Sequence, residues 1–274
     1  MKTGGNMKNS EKITARRLRA KKENNEKIVA LTAYDAVTAR LAAECGVDII
    51  LVGDSLGMTA LGYSSTIPVT LEQSLHHCAA VRRGAPGAFV VGDMPFMTCR
   101  VSDEDSLRNA ARYLQEAGAD AVKLEGGAEL NPLIEKMTAA GIPVMGHIGL
   151  LPQKLLVAGG YRVTGKTDAE AKRLIADAKA IEAAGAFAMV LECMPAALAG
   201  DITAQISIPT IGIGAGPLCS GQVQVVNDIL GLFEEFTPKH TKKYDNLAER
   251  IRNVFKAYSA DVRGGKFPGK EQSF

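Results

Sequence analysis

The 274-residue sequence contains no tryptophan, and aromatic residues make up only 5% of it. Such scarcity argues against a surface that works by stacking bases on aromatic rings. Cysteine is sparse as well: Cys45, Cys78, Cys99, Cys193 and Cys219 are scattered, odd in number and without a CxxC pair. A disulfide framework or structural zinc site is therefore not expected, and a reducing, cytoplasmic setting fits best. No apolar run approaches the ~20 residues that a membrane span needs. Charge of either sign is in little excess, 32 Lys and Arg against 30 Asp and Glu for a net +2. That balance excludes nucleic acid or an anionic membrane as the main partner. What is present is 46% hydrophobic residues and 28 glycines, the profile of a globular protein with many tight turns.

Positive charge is concentrated at the amino terminus. Residues 1–27 hold nine Lys or Arg and three Glu, a balance of +6, so the rest of the chain sums to −4. No apolar core follows, which excludes a secretory signal, and Glu11, Glu23 and Glu26 are unusual for an organelle presequence. Residues 1–26 are read as a basic lead-in helix or extension without chemistry of its own. Residues 27–274 are read as one domain with a carboxy-terminal helix and a polar tail.

From Lys27 onward a unit recurs: a helical stretch, a glycine, then a short apolar run ending in a polar residue. Examples are LAAECGVDIILVGDS (41–55), LQEAGADAVKLE (114–125), MTAAGIPVMGH (137–147) and IEAAGAFAMVLE (181–192). Gly46, Gly118, Gly141 and Gly185 fall where a helix ends in a left-handed residue. The runs after them read as parallel strands buried on both faces. With Ile28–Thr32, Phe89–Val91, Pro209–Ile213 and the weak candidate Asp228–Phe233, the strands number eight. Thr70 with Gln73, Thr167 with Glu170 and Ser102 with Asp105 mark helix starts. Eight such units in about 230 residues predict a (β/α)₈ TIM barrel rather than an open sheet. The stretch from Gly149 to Lys166 lacks helical period and is expected to be a functional lid or binding loop.

Barrel active sites form at the carboxyl ends of the strands. There the sequence places Asp35, Asp54-Ser55, Asp93, Lys123, Glu125, His147 and Glu192. A lone acid there could simply cap a helix. Several acids with a Lys and a His would carry a large desolvation cost without a function. Asp54, Asp93 and Glu125 offer hard oxygen ligands, so Mg²⁺ suits them better than Zn²⁺. Lys123 and Glu125 could pair with each other, or Lys123 could meet a substrate carboxylate. His147 could be a core imidazole or a substrate contact. IGIGAG (211–216) lies too late for a dinucleotide fingerprint; phosphate binding and close backbone packing both remain open. His76-His77 and Cys193 receive no role.

At these residues the sequence resembles the ketopantoate hydroxymethyltransferase family. The strings that carry the likeness are TAYD (32–35), LVGDSLGMT (51–59), VRRGAP (81–86), DMPFM (93–97), VKLEGG (122–127), GHIGLLPQ (146–153), GGYRVTG (159–165), LECMP (191–195) and IGIGAG. The resemblance implies a barrel of the phosphoenolpyruvate/pyruvate-binding type. It implies hydroxymethyl transfer from 5,10-methylenetetrahydrofolate to 3-methyl-2-oxobutanoate, giving ketopantoate for pantothenate synthesis. It further implies Mg²⁺ on Asp54, Asp93 and Glu125, and substrate contacts from Asp54, Ser55, Asp93 and Lys123. Glu192 is implied as the proton acceptor, His147 as a neighbour of the product, and a homodecamer as the assembly. The rival readings are another Mg²⁺-dependent barrel enzyme of 2-oxo acids, a C–C lyase or phosphonomutase, and a non-catalytic binding barrel. The lyase-type enzymes usually carry a KKCGH-like string, which the sequence lacks.

Overall fold

The computed structural model of the chain describes residues 12–274, so the first eleven residues of the basic lead-in lie outside the described residues. Eight strands pair in chain order and close into a barrel. They are β1 (Ile28–Thr32), β2 (Ile49–Val52), β3 (Phe89–Asp93), β4 (Ala121–Glu125), β5 (Val144–Gly149), β6 (Ala188–Glu192), β7 (Thr210–Ile213) and β8 (Gly221–Gln224). Every pairing is parallel, and β8 returns to β1 with Ile28 opposite Gly221. The helices of the barrel unit are α1 (Ala15–Glu23), α2 (Ala36–Glu44), α3 (Leu56–Thr59), α4 (Leu71–Gly84), α5 (Asp103–Gln115), α6 (Asn131–Ala139), α7 (Leu155–Ala158), α8 (Asp168–Ala183) and α9 (Ala196–Gln205). This unit ends at Gln224; Val225–Phe274 form a second compact unit with α10 (Val226–Ile229) and α11 (Leu247–Arg263).

The local signals act as expected at most helix starts. Thr70 closes a full capping box with Gln73, while Ser102 and Thr167 accept from the backbone of Asp105 and Glu170. The four helix-ending glycines all have positive φ. One strand expectation fails. Asp228–Phe233 is no strand, because Val226–Ile229 turns into α10, and the barrel is closed instead by Gly221–Gln224. That segment, GQVQ, alternates polar and apolar residues, and its four residues carry no apolar run to flag it.

Inward-facing side chains fill the lower barrel. Ala30, Ile49, Leu51, Phe89, Val91, Ala121, Met145, Val190, Ile211 and Val223 form one buried cluster. Leu18 of α1 joins that cluster and is fully buried, so the lead-in helix contributes to the core. Farther along α1, the Lys22 ammonium donates to the carbonyls of Thr203, Ile206 and Ile208 at 2.7–2.9 Å. Leu18→Ala should therefore lower the unfolding free energy by about 2–5 kcal/mol, the usual cost of a leucine-sized cavity. Urea denaturation of the variant against the parent measures it; an unchanged midpoint would remove α1 from the core.

Candidate active site

Side chains on a strand alternate, so residues two positions beyond the apolar cluster point the same way, one layer higher. Beyond Val91, Ala121, Met145 and Val190 come Asp93, Lys123, His147 and Glu192, and beyond Lys123 comes Glu125. The barrel thus changes from apolar to charged within one strand step. Asp54, Asp93, Lys123, Glu125 and His147 are each at most 4% exposed.

Asp54, Asp93 and Glu125 bring one oxygen each to within 4.8 Å of one another. Lys123 Nζ sits 2.6 Å from Asp93 Oδ1, 3.7 Å from Glu125 Oε1 and 3.3 Å from His147 Nδ1. The other imidazole nitrogen, Nε2, lies 3.2 Å from Glu192 Oε2. The Asp54 amide donates to Asp93 Oδ2 at 3.3 Å. Behind the cluster, the buried Tyr113 hydroxyl lies 2.7 Å from both the Asp93 carbonyl oxygen and Ser74 Oγ, which fixes the end of β3. Gly149 has φ +102°, and a Cβ there would stand 2.2 Å from the Glu192 carbonyl oxygen. Only glycine lets the end of β5 approach β6 so closely.

Three carboxylates share one lysine, and the protons respond. Burial, then repulsion from Asp93 and Glu125, pushes the Asp54 carboxyl well above its ordinary range. Burial lifts Glu125 to about 7, with Lys123 opposing the shift and Asp93 adding to it. Burial works against the Lys123 ammonium, but Asp93, Glu125 and Asp54 outweigh it and hold the proton more firmly than usual. Burial and the nearby Lys123 charge push His147 well below its usual value, so the imidazole is neutral. Glu125 Oε1 is buried without a hydrogen-bond partner, and Asp93 Oδ1 meets Lys123 only as an ion pair outside hydrogen-bond alignment. Unsatisfied hard oxygens facing an excess of negative charge suit a divalent cation of the Mg²⁺ class.

A family model for ketopantoate hydroxymethyltransferase matches residues 12–270. The 3-methyl-2-oxobutanoate hydroxymethyltransferase of Syntrophus aciditrophicus (strain SB) is 56% identical over 263 residues, covering 96% of this chain and 97% of that protein. The protein of the same name from Moorella thermoacetica is 52% identical over 98% of this chain and 100% of its own length. The chain belongs to the ketopantoate hydroxymethyltransferase family. In fold alone it resembles a phosphonopyruvate hydrolase solved with oxalate and Mg²⁺, at TM-score 0.59 and 16% identity over 94% of this chain and 92% of that one. A 2,3-dimethylmalate lyase of the PEP mutase/isocitrate lyase superfamily gives TM-score 0.58 at 16% identity, covering 94% of this chain and 90% of that one.

The structure brings together Asp54, Asp93, Lys123, Glu125, His147 and Glu192, while Ser55 meets Tyr34, and it adds other residues. Gln153 lies within GHIGLLPQ but is an amide on a loop, with no charge to flag it. Its backbone N–H donates to Glu125 Oε2 at 3.0 Å, and its side chain donates to Asp54 Oδ2 and the Met94 carbonyl, both at 3.0 Å. Tyr34, within TAYD, places its hydroxyl 2.9 Å from Ser55 Oγ and accepts from Thr32 Oγ1 at 2.9 Å. Asp35 stays outside the cluster: it caps α2, accepting from Val37 and Thr38. In IGIGAG a Cβ on Gly216 would meet the Cβ of Ala196 at 2.4 Å, the mark of close packing. The Gly149–Lys166 loop holds one 3₁₀ turn (Pro152–Lys154) and the single-turn α7.

The shift at Glu125 has a consequence for a family member stripped of metal. Its folded pKa lies above the unfolded one, so the folded state holds that proton more tightly. The resulting stability is complete below about pH 4.5 and is lost as pH rises through about 7. In chelator-treated protein the stability should fall by a few kcal/mol across this window from Glu125. Glu125→Gln should flatten that step, read by denaturant unfolding at fixed pH values; an identical pH profile in the variant contradicts the assignment.

Proposed function

We propose that the chain transfers a hydroxymethyl group from 5,10-methylenetetrahydrofolate to 3-methyl-2-oxobutanoate, forming ketopantoate in the cytoplasm. Family membership supports the reaction, and one observation carries the site: three buried carboxylates around a single lysine, with a Glu125 oxygen that has no hydrogen bond beside the His147–Glu192 pair. Asp54, Asp93 and Glu125 are the residues that would hold Mg²⁺. When bound, the ion supplies Lewis acidity that makes the proton on C3 of a 2-oxo acid easier to remove. Lys123 and Ser55 bind the substrate carboxylate and so fix which face of C3 is presented. Glu192 takes the C3 proton, with His147 beside it to hold its orientation. The carbon freed of its proton then attacks the methylene carbon of the folate; the C–C bond forms, water supplies the hydroxyl oxygen, and the carbon–nitrogen bonds to the folate break to release tetrahydrofolate.

Enolisation needs no folate, so it can be watched alone. The parent with Mg²⁺ should exchange the C3 proton of 3-methyl-2-oxobutanoate in D₂O. Glu192→Gln should slow this by ~10²–10⁴-fold, the usual contribution of a positioned general base. Proton NMR reads the rate directly. Exchange as fast in the variant as in the parent moves the base elsewhere, and absence of exchange in the parent favours a lyase or a binding barrel.

The proposal includes self-association, as a ring-based decamer by the family resemblance. Ile251, Val254, Phe255, Tyr258 and Val262 of α11 recur at helical spacing and are all exposed, a stripe suited to a protein partner. Sedimentation at micromolar concentration should show a species far above 29.0 kDa. The paired substitution Phe255→Asp and Tyr258→Asp should reduce its mass; a monomeric parent removes the assembly.

A further inference from the structure

The loop from Gly149 to Lys166 crosses the top of the acid cluster with little to hold it. At one end the Leu150 amide donates to the Glu192 carbonyl at 2.9 Å, and at the other the Thr164 amide donates to the Cys193 carbonyl at 2.9 Å. Between these anchors the chain spans a cavity of about 520 Å³ lined by Leu151, Lys154, Val157 and Arg162 among others. Leu156 and Val157 of α7 are 82% and 92% exposed, so α7 is not packed down. Lys154 pairs with Glu129 at 3.0 Å, but both side chains are about half exposed, where such a pair adds little. Arg162 pairs with Glu170 at 3.7 Å and Tyr161 lies near Glu192, but the hydrogen bonds that reach the clustered carboxylates come from Gln153, which grips two of the three at once.

We infer that Gln153 is a positioning residue for the metal-holding carboxylates and that through it metal binding and lid ordering are the same equilibrium. Its backbone N–H engages Glu125 Oε2 and leaves Oε1 to the cluster; its amide engages Asp54 Oδ2 and is itself held by Met94. Two donors on the outer oxygens set the rotation of both carboxylates, the task that outer hydrogen bonds perform for metal ligands. An ion that fixes Asp54 and Glu125 therefore fixes the atoms on which Gln153 rests, and with them the loop. Reciprocity follows: whatever loosens the loop weakens the ion, by the same factor. The inference rests on the proposal that Asp54, Asp93 and Glu125 hold Mg²⁺, and it adds the residue that carries the signal to the loop.

Gln153→Met keeps the shape of the side chain and removes its donors. By calorimetry its Mg²⁺ dissociation constant should rise roughly 10–100-fold over the parent. Gln153→Asn keeps the amide on a shorter arm and should show a rise of the same kind. Hydrogen exchange followed by mass spectrometry gives the second readout. In the parent, Mg²⁺ should slow exchange across 150–166. In Gln153→Met, Mg²⁺ raised to saturation should protect that segment clearly less than in the parent, since only the backbone contact to Glu125 remains. Far-ultraviolet circular dichroism matching the parent shows that a variant is folded. Equal Mg²⁺ affinity in folded Gln153→Met and Gln153→Asn, or equal protection of 150–166 by Mg²⁺ in Gln153→Met, overturns the inference while leaving the metal site standing. A parent that binds no Mg²⁺ overturns the metal site first and the inference with it.

Discussion

Everything at the top of this barrel depends on the contact between Lys123 and Asp93, 2.6 Å apart and almost without access to water. One ammonium there faces three buried carboxylates. Charges taken out of water at this density are tolerated only with close partners, and removing one partner alone typically costs about 3–5 kcal/mol. The surrounding structure supplies rigidity: the end of β3 is fixed by Tyr113 and Ser74, and β4 presents Lys123 and Glu125 from one face. Lys123 leaves a surplus of negative charge, and that surplus gives the site an appetite for a cation.

The same lysine determines the state of His147. A buried imidazole beside an ammonium does not charge, and its low pKa follows from burial first and Lys123 second. The imidazole places Nδ1 3.3 Å from Lys123 Nζ and Nε2 3.2 Å from Glu192 Oε2, the latter a contact without hydrogen-bond alignment. Glu192 therefore faces a neutral ring rather than a cation. A neutral neighbour does not neutralise a carboxylate as a charged one would, which suits the proton-accepting role proposed for Glu192.

Some of this was legible in the residues and some was not, for physical reasons. Buried parallel strands read as short apolar runs, so seven of the eight stood out, and the polar residues at the ends of β2 to β6 marked the cluster. β8 escaped because it closes the barrel with GQVQ, two of whose residues are glutamines. Asp35 looked like its neighbours because a helix cap and a catalytic acid are the same residue type at the same strand end; only the structure shows it accepting from Val37 and Thr38. Gln153 and Tyr34 carried no charge or spacing signal. Their importance comes from what lies across the barrel mouth, 99 residues away in the case of Gln153 and Asp54.

The barrel itself does not decide the reaction, since lyases and phosphonopyruvate hydrolases share it at TM-scores near 0.6. Function resides in what the strand ends present. In the proposed reading, the acids and the lysine at the ends of β2, β3 and β4 hold a 2-oxo acid by its oxygens. The chemistry diverges at the proton and at the second reactant. The acceptor proposed here, Glu192, is a carboxylate on β6, kept close to β5 by a glycine that nothing larger could replace. Above it the loop is tied to Glu125 and Asp54 through Gln153 while α7 stays exposed, a light cover coupled to the charged layer. A reaction that joins two substrates needs both properties: a rigid floor that prepares the nucleophilic carbon, and a cover light enough to admit its partner.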